Sequence, residues 1–125
     1  MKDKEKQNER QDLRQRTKLF ALRIIKMYGR LPKTTEAQVI GKQVLRSGSS
    51  VGANFREAFR ARSTAEYLAK LGICVQELDE TIYWLELLTE AEIIKATKLI
   101  DLLNEADQLI AIFTTIIIKT KNKKK

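Results

Sequence analysis

The arginines carry the chemistry most open to this chain. Arg16, Arg23 and Arg30 repeat every seven residues, so on a helix they drift only about 20° per repeat and hold one edge. Arg56 and Arg60 stand four apart, with Arg46 and Arg62 nearby in sequence. A planar guanidinium suits bidentate contact with phosphate or carboxylate. Aromatic residues are only 6% of the chain, which argues against base stacking and for contact with phosphate backbone. The seven candidates for nucleic-acid contact are therefore Arg16, Arg23, Arg30, Arg46, Arg56, Arg60 and Arg62. The competing use of the same residues is internal. Glu77, Asp79 and Glu80 form an acidic cluster that arginines of the fold can pair with, and Glu57, Glu66 and Glu80 lie within reach of Arg56, Arg60 or Arg62 across a joint near residue 62.

Other chemistries fail on residue supply. The chain has no His, which removes the commonest general base and the Ser-His and Cys-His nucleophile pairs. A carboxylate-bridged di-iron bundle needs two Glu-x-x-His pairs and is excluded with them. One Cys permits neither an intrachain disulfide nor a cysteine-rich metal site. Cys74, between Ile73 and Val75, reads as a small buried hydrophobe. Gly41-Lys42 is followed by Gln43, with no Gly five residues earlier, so it is no phosphate loop. These absences point to a protein without catalytic residues, cofactor or metal.

Charge and hydropathy bound the partners. The net charge is +8 over 125 residues. Residues 1–31 carry +6, residues 32–62 carry +4, residues 63–92 carry −6 and residues 93–125 carry +4. A basic balance favours anionic partners, while the acidic third quarter can pair against the rest. Met1 to Asp12 is charged and has no apolar run of the kind that opens a signal peptide. The longest apolar stretch, Leu109 to Ile118, is interrupted by Thr114 and Thr115 and is too short to span a bilayer, which takes about 20 residues. The expected location is the cytoplasm, with no membrane contact.

Four helices must position these groups. Leu13, Thr17, Phe20, Ile24, Met27 and Leu31 step by 4, 3, 4, 3, 4, one stripe of an α-helix. Ala21, Ile25 and Tyr28 broaden it, whereas Leu19 and Leu22 lie off it and predict a second neighbour. Gly29 and Pro32 end the segment. The second begins at Thr34 or Thr35 and carries Ile40, Val44, Val51, Phe55 and Phe59. Propensity alone makes Ser47-Gly48-Ser49-Ser50 a loop. Yet Gly41, Gly48 and Gly52 would share one face of a continuous helix, a thin face that lets another backbone approach. The spacing therefore predicts one long helix.

Ser63 and Glu66 form a capping box for a third helix with Leu68, Leu71, Val75, Leu78, Ile82 and Leu85, widened by Trp84, Leu87 and Leu88. After a break over residues 89–95, Leu99, Leu102, Ala106, Leu109, Phe113 and Ile117 mark the fourth. The fold class is all-α, an antiparallel up-down-up-down four-helix bundle. It spans residues 12–119, with a flexible charged extension at 1–11 and a Lys-rich tail at 120–125. Apolar faces wider than one bundle requires, at Leu19, Leu22, Trp84 and Leu87, predict an oligomer.

Several runs carry a family likeness: Leu31-Pro32-Lys33-Thr34, Arg46-Ser47-Gly48-Ser49-Ser50-Val51-Gly52-Ala53-Asn54-Phe55-Arg56-Glu57-Ala58, Arg60-Ala61-Arg62-Ser63 and Glu80-Thr81-Ile82-Tyr83-Trp84-Leu85. Over roughly residues 12–120 the chain resembles the bacterial four-helix-bundle proteins encoded as intervening sequences in large-subunit ribosomal RNA genes. It is also similar to the accessory variability proteins of diversity-generating retroelements. The resemblance implies a ring-like homo-oligomer, typically a pentamer. Among the accessory relatives it implies a basic barrel surface that binds nucleic acid and a reverse transcriptase. It brings no catalytic residue. Two functions follow as expectations. One is binding of nucleic acid, RNA above all, through phosphate contacts. The other is a scaffold that docks a partner protein such as a reverse transcriptase.

Overall fold

The computed structural model describes residues 2–123. Four α-helices follow one another: α1 (Lys2–Gly29), α2 (Thr35–Phe59), α3 (Thr64–Glu90) and α4 (Ile100–Lys123), with a single 3₁₀ turn at Ala96–Lys98 before α4. At 1.5 Å per residue each helix is about 40 Å long, and the bundle is a rod. α2 packs on α1 and α3, and α3 packs on α4, while α1 and α4 meet only sparsely. Helical backbone runs from Lys2 through the charged stretch set apart at 1–11, continuous with α1. Lys124 and Lys125 of the tail lie outside the described residues.

The predicted stripe of α1 is the buried one: Leu13, Thr17, Phe20, Ile24, Met27 and Leu31 are all core residues. Ile25 departs from expectation. It is half exposed, together with Leu19 and Leu22, because it lies more than 90° around the helix from the stripe's centre. The stripe of α3 is also turned from the one predicted. Tyr67, Leu71, Cys74, Leu78, Thr81, Leu85 and Leu88 are deepest, and Leu68, Val75 and Ile82 sit at the margin of the core. Two nearly parallel stripes exist on this helix. α2 takes the Cys74–Thr81 side, where Cys74 Sγ meets Val51 O and Thr81 Oγ1 meets Ser47 Oγ.

α2 is unbroken through Ser47–Ser50. Ser47 Oγ donates to Gln43 O at 2.8 Å and Ser50 Oγ to Arg46 O at 2.7 Å, so these hydroxyls bond back to the preceding turn instead of opening it. A Cβ on Gly41 would meet Leu31 and Tyr28, on Gly48 Ile24, and on Gly52 the backbone of Thr17. All three glycines therefore face α1. On the other flank Thr81 Oγ1 lies 2.8 Å from Ser47 Oγ, a buried polar contact between α2 and α3.

Each joint is capped. Thr34 Oγ1 accepts from Ala37 N at 3.3 Å. Ser63 Oγ accepts from Glu66 N at 3.1 Å, and Glu66 Oε2 accepts from Arg62 N at 3.3 Å, the reciprocal bonding of a capping box displaced by one residue. α3 ends in a Schellman turn, with Ile93 N donating to Leu88 O at 2.9 Å and Glu92 N to Thr89 O at 3.0 Å. Glu92 holds the left-handed position (φ 60°) where glycine is usual.

Candidate nucleic-acid interface

The seven arginines separate into three groups once the helices pack. Arg16, half-buried on α1, faces α4. Its Nε donates to Glu105 Oε2 at 2.9 Å and its Nη2 to Glu105 Oε1 at 2.7 Å and to Gln108 Oε1 at 3.0 Å. This bidentate bond to Glu105, the first cause of the upward shift of the Arg16 pKa, spans the sparse α1–α4 seam. Arg46, exposed on α2, pairs with Glu80 and lies 3.4 Å from Glu77 across the α2–α3 seam. Trp84 Nε1 donates to the same Glu80 carboxylate at 3.0 Å. Both arginines are ion-paired within the bundle, Arg46 with two of the three acids named from the sequence and Arg16 with Glu105, which was not among them.

Arg56, Arg60 and Arg62 make the second group. They do not pair with Glu57, Glu66 or Glu80 through their guanidinium groups, which corrects the sequence expectation. Glu57 is taken by Lys70 Nζ at 3.3 Å, Glu66 is turned onto the Arg62 backbone, and Glu80 is held by Arg46. Each carboxylate found a nearer cation or amide on its own seam. The three arginines instead line a groove of about 740 Å³ between α1 and α2, joined there by Arg14 and Lys18. The floor is made of small residues, Ala21, Ser49, Gly52 and Ala53, because α2 presents its thin face on this side. Arg14 is seated by the Phe59 ring, 4.9 Å beneath its guanidinium carbon, a cation–π contact that leaves its N–H edge available.

Arg23 and Arg30 form the third group, at the other end of the rod. They line a separate cavity with Lys26, Lys95 and Lys98 at the start of α4. The heptad row of α1 is thus one edge in sequence but two environments in space, since Arg16 meets an acidic stretch of α4 and its successors do not.

Arg14 and Lys18 are the groove residues that sequence reasoning missed. The available signal was their position on α1, 100–140° from the core stripe and on the same flank as Ala21. That flank becomes a binding wall only because α2 lies against it. Within the groove Arg14, Lys18, Arg56, Arg60 and Arg62 have no ion-pair partner among the described residues. With Glu57 and Glu66 already engaged, five cations face solvent over a shallow floor. Such an arrangement can neutralise successive phosphates of a polyanion.

Among the described residues no group of acids, Cys or His is placed to hold a metal. Cys74 is fully buried, its thiol pushed up to about 12, chiefly by burial, and its Sγ lies 3.5 Å from Val51 O. No helix of the described residues is long and apolar enough to cross a membrane.

Comparison with known proteins supports the fold and the kinship. The family model described as 23S rRNA-intervening sequence protein matches residues 9–115. A crystal structure of a protein of unknown function from the S23 ribosomal protein family of Bacteroides thetaiotaomicron is 37% identical to this chain. It superposes with a TM-score of 0.81 over 86% of this chain and 96% of that one. No curated protein matches the sequence.

Proposed function

We propose a function for a chain that belongs to the 23S rRNA-intervening sequence protein family: it is a cytoplasmic, non-enzymatic protein that binds structured RNA by phosphate contact, as a homo-oligomer. The α1–α2 groove is the RNA-binding surface. The observation that carries this reading is the collection of Arg14, Lys18, Arg56, Arg60 and Arg62 in one groove without an ion-pair partner among the described residues. Small floor residues let a sugar–phosphate backbone come close to these cations. No exposed aromatic platform stands in the groove, so contact to phosphate rather than to bases sets the affinity.

Self-association is supported by α1. Leu19, Leu22 and Ile25 are 56%, 53% and 50% exposed and lie beside the groove-lining Lys18. Aliphatic residues this open, grouped on one helix, mark an interface more than a solvated surface. The oligomer we favour is the pentamer that the sequence resemblance implies, which would repeat the groove around a ring and multiply its avidity. The same aliphatic row favours a second reading, a scaffold that docks a partner protein such as a reverse transcriptase, with the groove's charge incidental.

Gel shifts with a structured RNA at two salt concentrations separate the readings. Under the first, affinity falls steeply with salt. Arg56→Gln and Arg60→Gln each lower the salt slope by about one, equally for RNAs of unrelated sequence. Absence of binding at low salt would favour the scaffold. Light scattering that finds a monomer at micromolar concentration would remove the oligomer from both.

A further inference from the structure

The end cavity that holds Arg23 and Arg30 is not part of the groove and has its own character. α1 contributes Arg23 and Lys26, the turn just after it contributes Arg30, and the segment leading into α4 contributes Lys95 and Lys98. Asp101 is the one carboxylate among them, and none of the six is in an ion pair among the described residues. Local charge is therefore about +4 in a space of about 710 Å³, within the range of small-ligand sites. Beneath the cations the lining is apolar: Met27, Leu31 and Leu102 are core residues and Ile93 and Ile94 are half-buried.

The backbone that carries the two lysines is fixed. The Schellman turn at Glu92 tucks Ile93 and Ile94 against the core. Lys98 N donates to Lys95 O and Leu99 N to Ala96 O, both at 3.0 Å. The backbone at Lys95 and Lys98 is thereby ordered without a ligand, and little backbone ordering remains to oppose binding.

This combination selects a ligand. A passing phosphodiester strand offers one charge per nucleotide and would leave the apolar floor unused. A terminal polyphosphate concentrates several charges on adjacent phosphorus atoms, and an attached nucleoside can cover the half-buried Ile93 and Ile94. We propose that this cavity is a second binding site, distinct from the RNA groove, that takes a nucleoside 5′-polyphosphate group, with Arg23, Arg30, Lys95 and Lys98 on the phosphates. The group has two sources, a free nucleotide or the 5′-triphosphate end of an RNA. The site is on the α4 side of α1, about 18 Å along the bundle axis from Lys18 to Arg30, so it does not depend on the groove.

The test is titration calorimetry of the full chain in low salt. The probes are GTP, ATP, AMP and short RNAs that carry either a 5′-triphosphate or a 5′-hydroxyl. Triphosphate forms are expected to bind at least about tenfold tighter than AMP or 5′-hydroxyl RNA. Arg23→Gln and Lys98→Gln should each weaken that binding at least about tenfold, with Lys26→Gln and Lys95→Gln as a second pair. Arg56→Gln and Arg60→Gln should leave the binding of GTP and ATP unchanged, while weakening that of both RNAs through the groove. Binding of free nucleotide identifies a metabolite as the source, and binding of triphosphate RNA alone identifies an RNA terminus. Equal affinity for 5′-hydroxyl and 5′-triphosphate RNA, no binding of any triphosphate, or loss of binding in the groove variants with none in the cavity variants would each overturn the proposal. A groove that fails to bind RNA while triphosphates still bind would overturn the groove reading alone.

Discussion

Replacing Gly48 by alanine should destabilise the protein, whereas the same change at Gly72 should stabilise it. Both residues lie inside long helices, where alanine is favoured over glycine by about 0.5–1 kcal/mol. At Gly72 an added Cβ meets nothing within 4 Å, so the gain should appear almost in full. At Gly48 it would stand 2.9 Å from Ile24 Cγ1 and 3.2 Å from Cγ2, against a preferred carbon separation of about 3.5–4.0 Å. Ile24 is fully buried and β-branched, so it has no free rotamer to retreat into. Overpacking of this kind costs about 1–3 kcal/mol. Set against the propensity gain, Gly48→Ala should lose about 0.5–2 kcal/mol and Gly48→Leu more. The two alanine variants should therefore differ by about 1–3 kcal/mol. In a chain of this size 1 kcal/mol moves Tm by about 3–5 °C. Urea unfolding followed by circular dichroism, with thermal melts beside it, measures both. If Gly48→Ala stabilises the protein as much as Gly72→Ala, α1 and α2 do not approach each other through this face and the reasoning is wrong.

Three further outcomes follow from the same contacts. Arg16→Gln should cost about 1–2 kcal/mol, since its bidentate bond to Glu105 is only partly exposed, and a double-mutant cycle with Glu105→Gln should return a coupling of about 1 kcal/mol. RNA affinity should hardly change in that variant. Glu92→Gly should raise stability by up to about 1 kcal/mol, because the left-handed cap position is strained for a side-chain-bearing residue, and a lower Tm would refute this. For Cys74 the folded thiol is pushed up to about 12 from an ordinary 9.0, so its neutral form is favoured by folding. Its contribution is complete below pH 9 and is lost as pH rises from there toward 12, a loss that Cys74→Ala should abolish. Thiol reagents at pH 8 should label Cys74 only at the rate of unfolding.

Apolar spacing, the Ser63 and Thr34 caps and the stop signals at Gly29 and Pro32 determined four helices, because helix periodicity is written in residues i, i+3 and i+4. The shared face of Gly41, Gly48 and Gly52 determined the continuity of α2 against the local propensity of its serines. The shortage of His and Cys narrowed the chemistry before any fold was known. What the sequence left open was partner choice. Whether Arg16 meets Glu105, whether Arg46 takes Glu80 from the arginines after it, and whether Arg14 and Lys18 share a wall with Arg56 depend on which helix flanks meet. Those contacts join residues 31 to 92 positions apart, and short-range spacing carries no information at that range. Only packing decided which cations are neutralised inside the bundle and which remain facing solvent, in the groove and at the end of the rod.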